Sequence, residues 1–388
     1  MKKQIIFIEP RPNPPDFKIA RTLKLSGKYE TILITFSKIN KEYYLGAYDK
    51  IFVHELIDVP SKDNLLDFFK QFFDKKLRNF IKDVRKLNPY IVQITGLNIF
   101  TILTFYLFKN KKTIYNAYDI WGPYKKKFSL KGGSGRMIYF NTINERICFK
   151  IADGILHKGP AEELNLLSYG KKINTPSLAF LPGCLDEWNI KSKKRALKKD
   201  NINIVYAGGS WLEWQGHVSF LEIIKKITSQ KIHFHISDPV LTKEKEKAYK
   251  EIERTNKYFH FYGSMNLNEF NKKLSEYDFG ILPDFVSDTN IINPLFSKIT
   301  MANKIFSYIE SGLPVIVSSQ LEFMKKIIEE NEVGFAVKYE ELENLREIIE
   351  KKDYKKVLKN ISKFQKKFSL SKNISKIEKF YEEIYNLK

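Results

Sequence analysis

The sequence predicts an α/β protein built of two doubly wound halves, and three observations carry that prediction. Short apolar runs alternate with amphipathic stretches, the pattern of parallel strands covered by crossover helices. The alternation stops near residue 185 and resumes at residue 202. The chain of 388 residues, 43% of them hydrophobic, has material for two cores and is too long for one ordinary domain.

Taken in order, Gln4-Ile5-Ile6-Phe7-Ile8 reads as a buried strand, residues 17–26 as a helix, and Thr31-Ile32-Leu33-Ile34-Thr35 as a second strand. Ile51-Phe52-Val53 follows, then a long helix over 65–87. The strands Tyr90-Ile91-Val92-Gln93-Ile94, Thr113-Ile114-Tyr115 and Gly154-Ile155-Leu156 continue the series. It closes near Leu181-Pro182-Gly183-Cys184-Leu185-Asp186, and residues 188–201, lysine-rich and aperiodic, read as a linker. A second βα series has strands at 202–206, 232–236, 259–262, 279–282 and 315–318. The expected bounds are 1–187 for the first domain and 202–352 for the second, with a charged helical segment over 353–388.

The formal net charge of +21 invites a nucleic-acid or anionic-membrane reading. Only nine of the 66 basic residues are arginine, whereas specific phosphate and base recognition favours the forked guanidinium. Specific nucleic-acid binding is therefore not expected. Reversible attraction to an anionic membrane surface is, because each near-surface basic residue contributes about 1 kcal/mol. The helix over 65–87 has a basic face, and Phe68 and Phe72 widen its apolar side. Two cysteines, Cys148 and Cys184, exclude a disulfide scaffold and a cysteine-rich zinc framework. The apolar run after Met1-Lys2-Lys3 ends at Glu9, short of a signal-peptide core, and the stretch 97–108 is too short to span a bilayer. The expected location is cytoplasmic, peripheral on the inner face of the cell membrane.

In a doubly wound sheet the chemistry belongs where the strands end. Ala207-Gly208-Gly209-Ser210 closes one strand just before a helix near 218–227, and glycines there let backbone N–H groups approach a phosphate. In Asn303-Lys304-Ile305-Phe306-Ser307-Tyr308-Ile309-Glu310-Ser311-Gly312-Leu313-Pro314-Val315-Ile316 a helix ends on a glycine, and proline leads into a buried strand. This stretch resembles the nucleotide-sugar segment of the family-four glycosyltransferases of the GT-B fold, which read Pro-x-Lys, Glu-Tyr and small-Gly-x-Pro-Val-Ile there. Val205-Tyr206-Ala207-Gly208-Gly209 is similar to the first strand and glycine turn of that family's donor domain. Phe261-Tyr262-Gly263 is similar to its loop near the base, and Asp278-Phe279-Gly280-Ile281-Leu282-Pro283 to its next strand. Glu329-Glu330-Asn331-Glu332-Val333-Gly334 resembles the Glu-x-x-x-Gly close, and Ala152-Asp153-Gly154-Ile155-Leu156 the last strand before the interdomain crossing.

The resemblance covers nearly the full chain. It implies two Rossmann-like domains facing a central cleft, with the segment 353–388 returning to the first. It also implies transfer of a hexose from a nucleotide sugar to a cell-surface glycan or lipid-linked acceptor, retaining and metal-independent, with no cofactor besides the nucleotide-sugar co-substrate. A catalytically silent binding subunit, or a sugar-nucleotide 2-epimerase of the same architecture, is the alternative. The donor-binding residues so implied are Gly208, Gly209, Ser210, Tyr262, Gly263, Pro283, Lys298, Lys304, Ser307, Tyr308 and Glu310.

The chain departs from the family at telling places. Ser307 stands where the family has the glutamate that holds the ribose, and Ile299 where it has the earlier glutamate. The basic pair after the glycine turn is replaced by Trp211, Glu213, Trp214, Gln215 and His217. In a rebuilt site Glu310, one turn beyond Ser307, would serve the nucleotide, and Lys298 or Lys304 the phosphates. On the acceptor side, Tyr115-Asn116-Ala117-Tyr118-Asp119-Ile120-Trp121-Gly122 carries Tyr118 at the family's histidine position. Asp119 is then the candidate base, or else it caps the next turn. His233 and His235 share one face of a strand with no third ligand suggested, so a structural role is expected of them. Neither an Asp-x-Asp metal motif nor a nucleophile elbow is visible.

Overall fold

Each of the two strand series forms its own parallel sheet. The computed structural model of the chain describes residues 2–56, 74–96, 99–117, 120, 133–160, 173–191, 197–209, 217–238, 242–263, 269–287 and 295–387. The first sheet contains β1 (Lys3–Glu9), β2 (Tyr29–Thr35), β3 (Lys50–Val53), β4 (Ile91–Thr95), β5 (Thr113–Ala117), β6 (Gly154–His157) and β7 (Ser177–Ala179), in the order β3-β2-β1-β4-β5-β6-β7. The second contains β8 (Asn203–Ala207), β9 (His233–Ser237), β10 (Phe259–Tyr262), β11 (Phe279–Leu282), β12 (Val315–Ser318) and β13 (Gly334–Val337), in the order β10-β9-β8-β11-β12-β13. The central strands are continuous apolar runs because both faces are covered. Ile5, Ile6, Phe7 and Ile8 are wholly buried, as are Ile204, Val205 and Tyr206. The edge strands β7 and β13 lie outside the predicted series. An edge strand pairs on one side only, and β7 is just three residues long, too short to show a period.

Contacts divide the chain into two compact units. The second runs from Gly183 to Ser369, so two expected bounds move. The Cys184 N–H donates to the Phe368 carbonyl at 2.8 Å, and the Leu185 N–H to Glu310 Oε1 at 2.7 Å, which ties residues 183–190 to the second unit and not the first. Nor does the segment 353–388 move as one piece. The helix Tyr354–Lys367 stays with the second unit, where Phe364 packs 6.0 Å from Phe306 and Gln365 donates to the Ile309 carbonyl at 2.8 Å. Only the helix Leu370–Asn386 joins the first unit, where Tyr381 donates to Gln93 Oε1 at 2.7 Å. Of the basic helix expected over 65–87, the part Lys75–Arg85 is described. Leu77 and Val84 are buried and its lysines and arginines are exposed, while Phe68 and Phe72 lie outside the described residues.

The carboxyl ends of β1, β4 and β5 are joined through two buried carboxylates that the sequence reading passed over. Glu9, the last residue of β1, accepts from the Asn13 N–H at 2.7 Å and the Tyr48 hydroxyl at 2.7 Å. Asp16, in the first turn of the helix Pro14–Leu25, accepts from Gln93 at 2.6 Å, Asn116 at 2.8 Å and the Thr95 hydroxyl. Burial pushes the Glu9 carboxyl well above the usual range, and the charge of Asp16 pushes it further; Asp16 is raised as well, also by burial. A carboxyl raised in the folded state gives stability that is present at low pH and lost as pH climbs through its folded value. Glu9→Gln keeps the shape, accepts from Asn13 and removes one of two facing charges. The variant is expected to melt a few degrees above wild type at pH 7.5, with the gap closing towards pH 4.5, as read by calorimetry. A variant that melts lower by the same amount at both pH values would contradict this.

Candidate functional site

The order of the second sheet reverses between β8 and β11, and ligands of open parallel sheets gather outside the carboxyl ends at such a reversal. Strand β8 ends there at Ala207 and runs straight into Gly208 and Gly209. Gly208 holds φ at +143°, a conformation that disfavours any side chain, and its N–H donates to the Ser237 carbonyl at 2.8 Å. The Gly208 amide is thus committed within the fold and cannot serve a phosphate, contrary to expectation. The Gly209 N–H has no partner among the described residues, and nothing lies within 4 Å of where its Cβ would be.

Behind the turn lies the helix Lys304–Glu310, whose residues 304 and 308 share one face. The Tyr308 hydroxyl accepts the Ala207 N–H at 3.0 Å and donates to the Ile281 carbonyl at 3.3 Å, bridging β8 and β11. Gly280 makes room for that ring, since a Cβ there would lie 2.3 Å from the Tyr308 Cγ. One turn earlier, Lys304 Nζ donates to the Tyr206 hydroxyl at 2.6 Å and sits 4.3 Å from the centre of the Tyr206 ring. The lysine stem crosses the open face of Gly208, where a Cβ would stand 2.2 Å from its Cε. Burial lowers the pKa of this ammonium, and the charges of Asp284 and Asp238 raise it in part. Asp284 Oδ1 is buried with no hydrogen-bond partner among the described residues. At the end of β10 the Gly263 carbonyl accepts from Ser237 Oγ at 3.0 Å, and the space beside Gly263 is open.

The expected residues divide accordingly. Gly208, Gly209, Gly263 and Lys304 meet at the carboxyl ends of β8, β9 and β10. Tyr308 is fully buried and spends its hydroxyl on two strands, and Glu310, also fully buried, serves the connector through Leu185; neither is open to a nucleotide. Pro283 is buried beside Asp284, Ser307 is half-buried, and Lys298 is exposed on the helix Leu295–Ile299. Ser210, Asp119 and residues 211–216 lie outside the described residues. Tyr262 turns away to line a cavity of about 250 Å³ with His235, Asn203, Lys273 and Tyr277. Beside this cavity His260, which sequence reasoning missed, stacks with His233 and His235. His233 Nδ1 and His260 Nε2 are 2.8 Å apart, and the His235 and His260 rings stack at 4.5 Å. Stacked rings do not converge on one ion, and no group of three ligands able to hold a metal occurs among the described residues. Burial lowers all three rings, and repulsion from their neighbours adds to this at His233 and His235, with His235 pushed down to about 3.

Residues 216–377 match the family model of the glucosyltransferase 3-like C-terminal domain. Over both units, the sucrose-phosphate synthase of Thermosynechococcus elongatus superposes with a TM-score of 0.70 at 13% identity, covering 99% of each chain. The chain has the GT-B fold. Two further GT-B structures are similar. Anabaena HepE in complex with UDP and glucose gives a TM-score of 0.66 at 13% identity, over 98% of this chain and 100% of that one. The pneumococcal O-GlcNAc transferase GtfA in complex with UDP and GlcNAc gives 0.63 at 11% identity, over 100% of both. No curated protein matches the chain by sequence.

Within the second unit, the dependence of the turn on Gly208 is open to test. Gly208→Ala forces a side chain into a positive-φ position and against the Lys304 stem. The expected cost is roughly 1–3 kcal/mol of second-unit stability in urea. Wild-type stability would mean that the turn does not hold this backbone.

Proposed function

We propose that the chain is a glycosyltransferase that moves a hexose from a nucleotide sugar to a hydroxyl of a cell-surface glycan or lipid-linked acceptor. The observation that carries this reading is Lys304, laid across the glycine turn of β8 at the strand-order reversal, beside the open Gly209 N–H. The matched domain family and the UDP held by two structures of the same fold support a uridine diphosphate sugar as the donor. Breaking the sugar–phosphate bond leaves additional negative charge on the diphosphate. The Gly209 N–H and the Lys304 ammonium would meet that charge from positions fixed in advance, the arrangement in which electrostatic stabilisation contributes most. A lysine at the diphosphate supplies positive charge without a metal ion, in keeping with the metal-independent reaction the resemblance implies. The acceptor hydroxyl must lose its proton as the new bond forms, and Asp119 is the base we assign to it.

Titration calorimetry with UDP, UDP-glucose, UDP-GlcNAc and GDP tests this reading. A uridine nucleotide is expected to bind saturably, and Lys304→Met to weaken it at least tenfold, about 1.4 kcal/mol. Failure of all four to bind would overturn the reading. Binding of UDP with no turnover of any sugar donor would leave a nucleotide-binding subunit in place of an enzyme.

A further inference from the structure

Tyr206 is a wholly buried residue near the end of β8, and no catalytic or binding role follows from its place inside a strand. Its ring packs 4.7 Å from Phe220, yet its hydroxyl is used on both sides. It accepts from Lys304 Nζ at 2.6 Å and donates to the Gly209 carbonyl at 2.6 Å. The residue therefore joins, through one oxygen, the lysine head and the carbonyl of Gly209, the residue whose own N–H, in the preceding peptide, has no partner among the described residues. The lysine stem reaches that oxygen only because Gly208 has no side chain.

We infer that Tyr206 is a positioning residue for a pyrophosphate-binding site, its hydroxyl holding Lys304 Nζ against the Gly209 turn so that a diphosphate meets both at once. This rests on the proposed reading of the turn as a donor site and adds to it the residue that presets it. A proton linkage follows. The charged and titratable groups facing Lys304 are Tyr206, Asp284 and Asp238; Tyr308, one turn along the helix, has its hydroxyl engaged with two strands. Burial holds the free lysine below its usual range, and the arriving dianion favours its charged form. Binding then raises the lysine's pKa above its free-state value, and affinity falls as pH rises through that free-state value. Tyr206→Phe keeps the ring under the ammonium but removes the oxygen that accepts from it. That loss disfavours the charged form, so the fall in affinity moves to lower pH.

The test uses the full chain, with inorganic pyrophosphate and UDP as probes, between pH 6 and 10. Wild-type affinity is expected to fall across this range. Tyr206→Phe should weaken binding roughly 3–10-fold at pH 7.5 and shift the fall to lower pH. Lys304→Met should abolish the fall seen in both, leaving only the change due to the probe's own ionisation. Tyr206→Phe with the wild-type affinity and profile would overturn the inference. A second readout needs no ligand: the rate at which an amine-reactive reagent labels Lys304, followed by mass spectrometry from pH 7 to 10. A changed labelling profile in Tyr206→Phe supports the relay even if neither probe binds, in which case the donor-site reading fails and the relay stands. An unchanged profile overturns the relay whatever the probes do.

Discussion

The spacing of one helical turn between Lys304 and Tyr308 is the constraint on which the second unit's site depends. Parallel strands part at their carboxyl ends, and the Ala207 N–H would be left without a ladder partner where β8 and β11 separate. The Tyr308 hydroxyl supplies that partner and reaches Ile281 on the other strand. This fixes the helix against the sheet to within a hydrogen bond. A residue one turn earlier must then lie over the next peptide of β8, which is Gly208. Lys304 occupies that place, and Gly208 and Gly280 are glycine because the lysine stem and the tyrosine ring pass where their side chains would be.

The first unit meets the same problem with charge. Its sheet also reverses order, between β1 and β4, and Asp16 gathers donors from β4 and β5 at their carboxyl ends. A carboxylate accepts more bonds than a hydroxyl, so one residue can organise two strands and the helix that carries it. The cost is desolvation, which is why both carboxyls are raised, and the charge of Asp16 lifts Glu9 further. Tyr381 extends the network from the helix Leu370–Asn386 by way of Gln93, so the end of the chain has a polar as well as an apolar reason to pack here.

The fold was legible because parallel, doubly covered strands write themselves as short apolar runs, and the central strands of both sheets lie where those runs are. The glycine turn and Lys304 stood out through the resemblance to a family motif, and the structure lays the lysine stem against the turn. Roles that depend on the direction of a side chain were not legible. Tyr308 and Glu310 sit in a motif that suggests a nucleotide site, but burial commits them to β8, β11 and the connector. Asp16 resembles an ordinary first-turn aspartate after an Asn13 cap, and only the fold brings Gln93, Thr95 and Asn116 to it. Tyr206 looks like one more apolar strand residue, since nothing local marks a hydroxyl that meets a lysine 98 positions away. His260 needed the pairing of β9 with β10 before it could join His233 and His235.

The most direct test of the central claim is a crystal structure of the full chain with UDP bound. The account predicts the diphosphate at the end of β8, with a phosphate oxygen within hydrogen-bond distance of the Gly209 N–H and Lys304 Nζ turned onto it. UDP bound elsewhere, with Lys304 still on the Tyr206 hydroxyl and the Gly209 amide unoccupied, would contradict it.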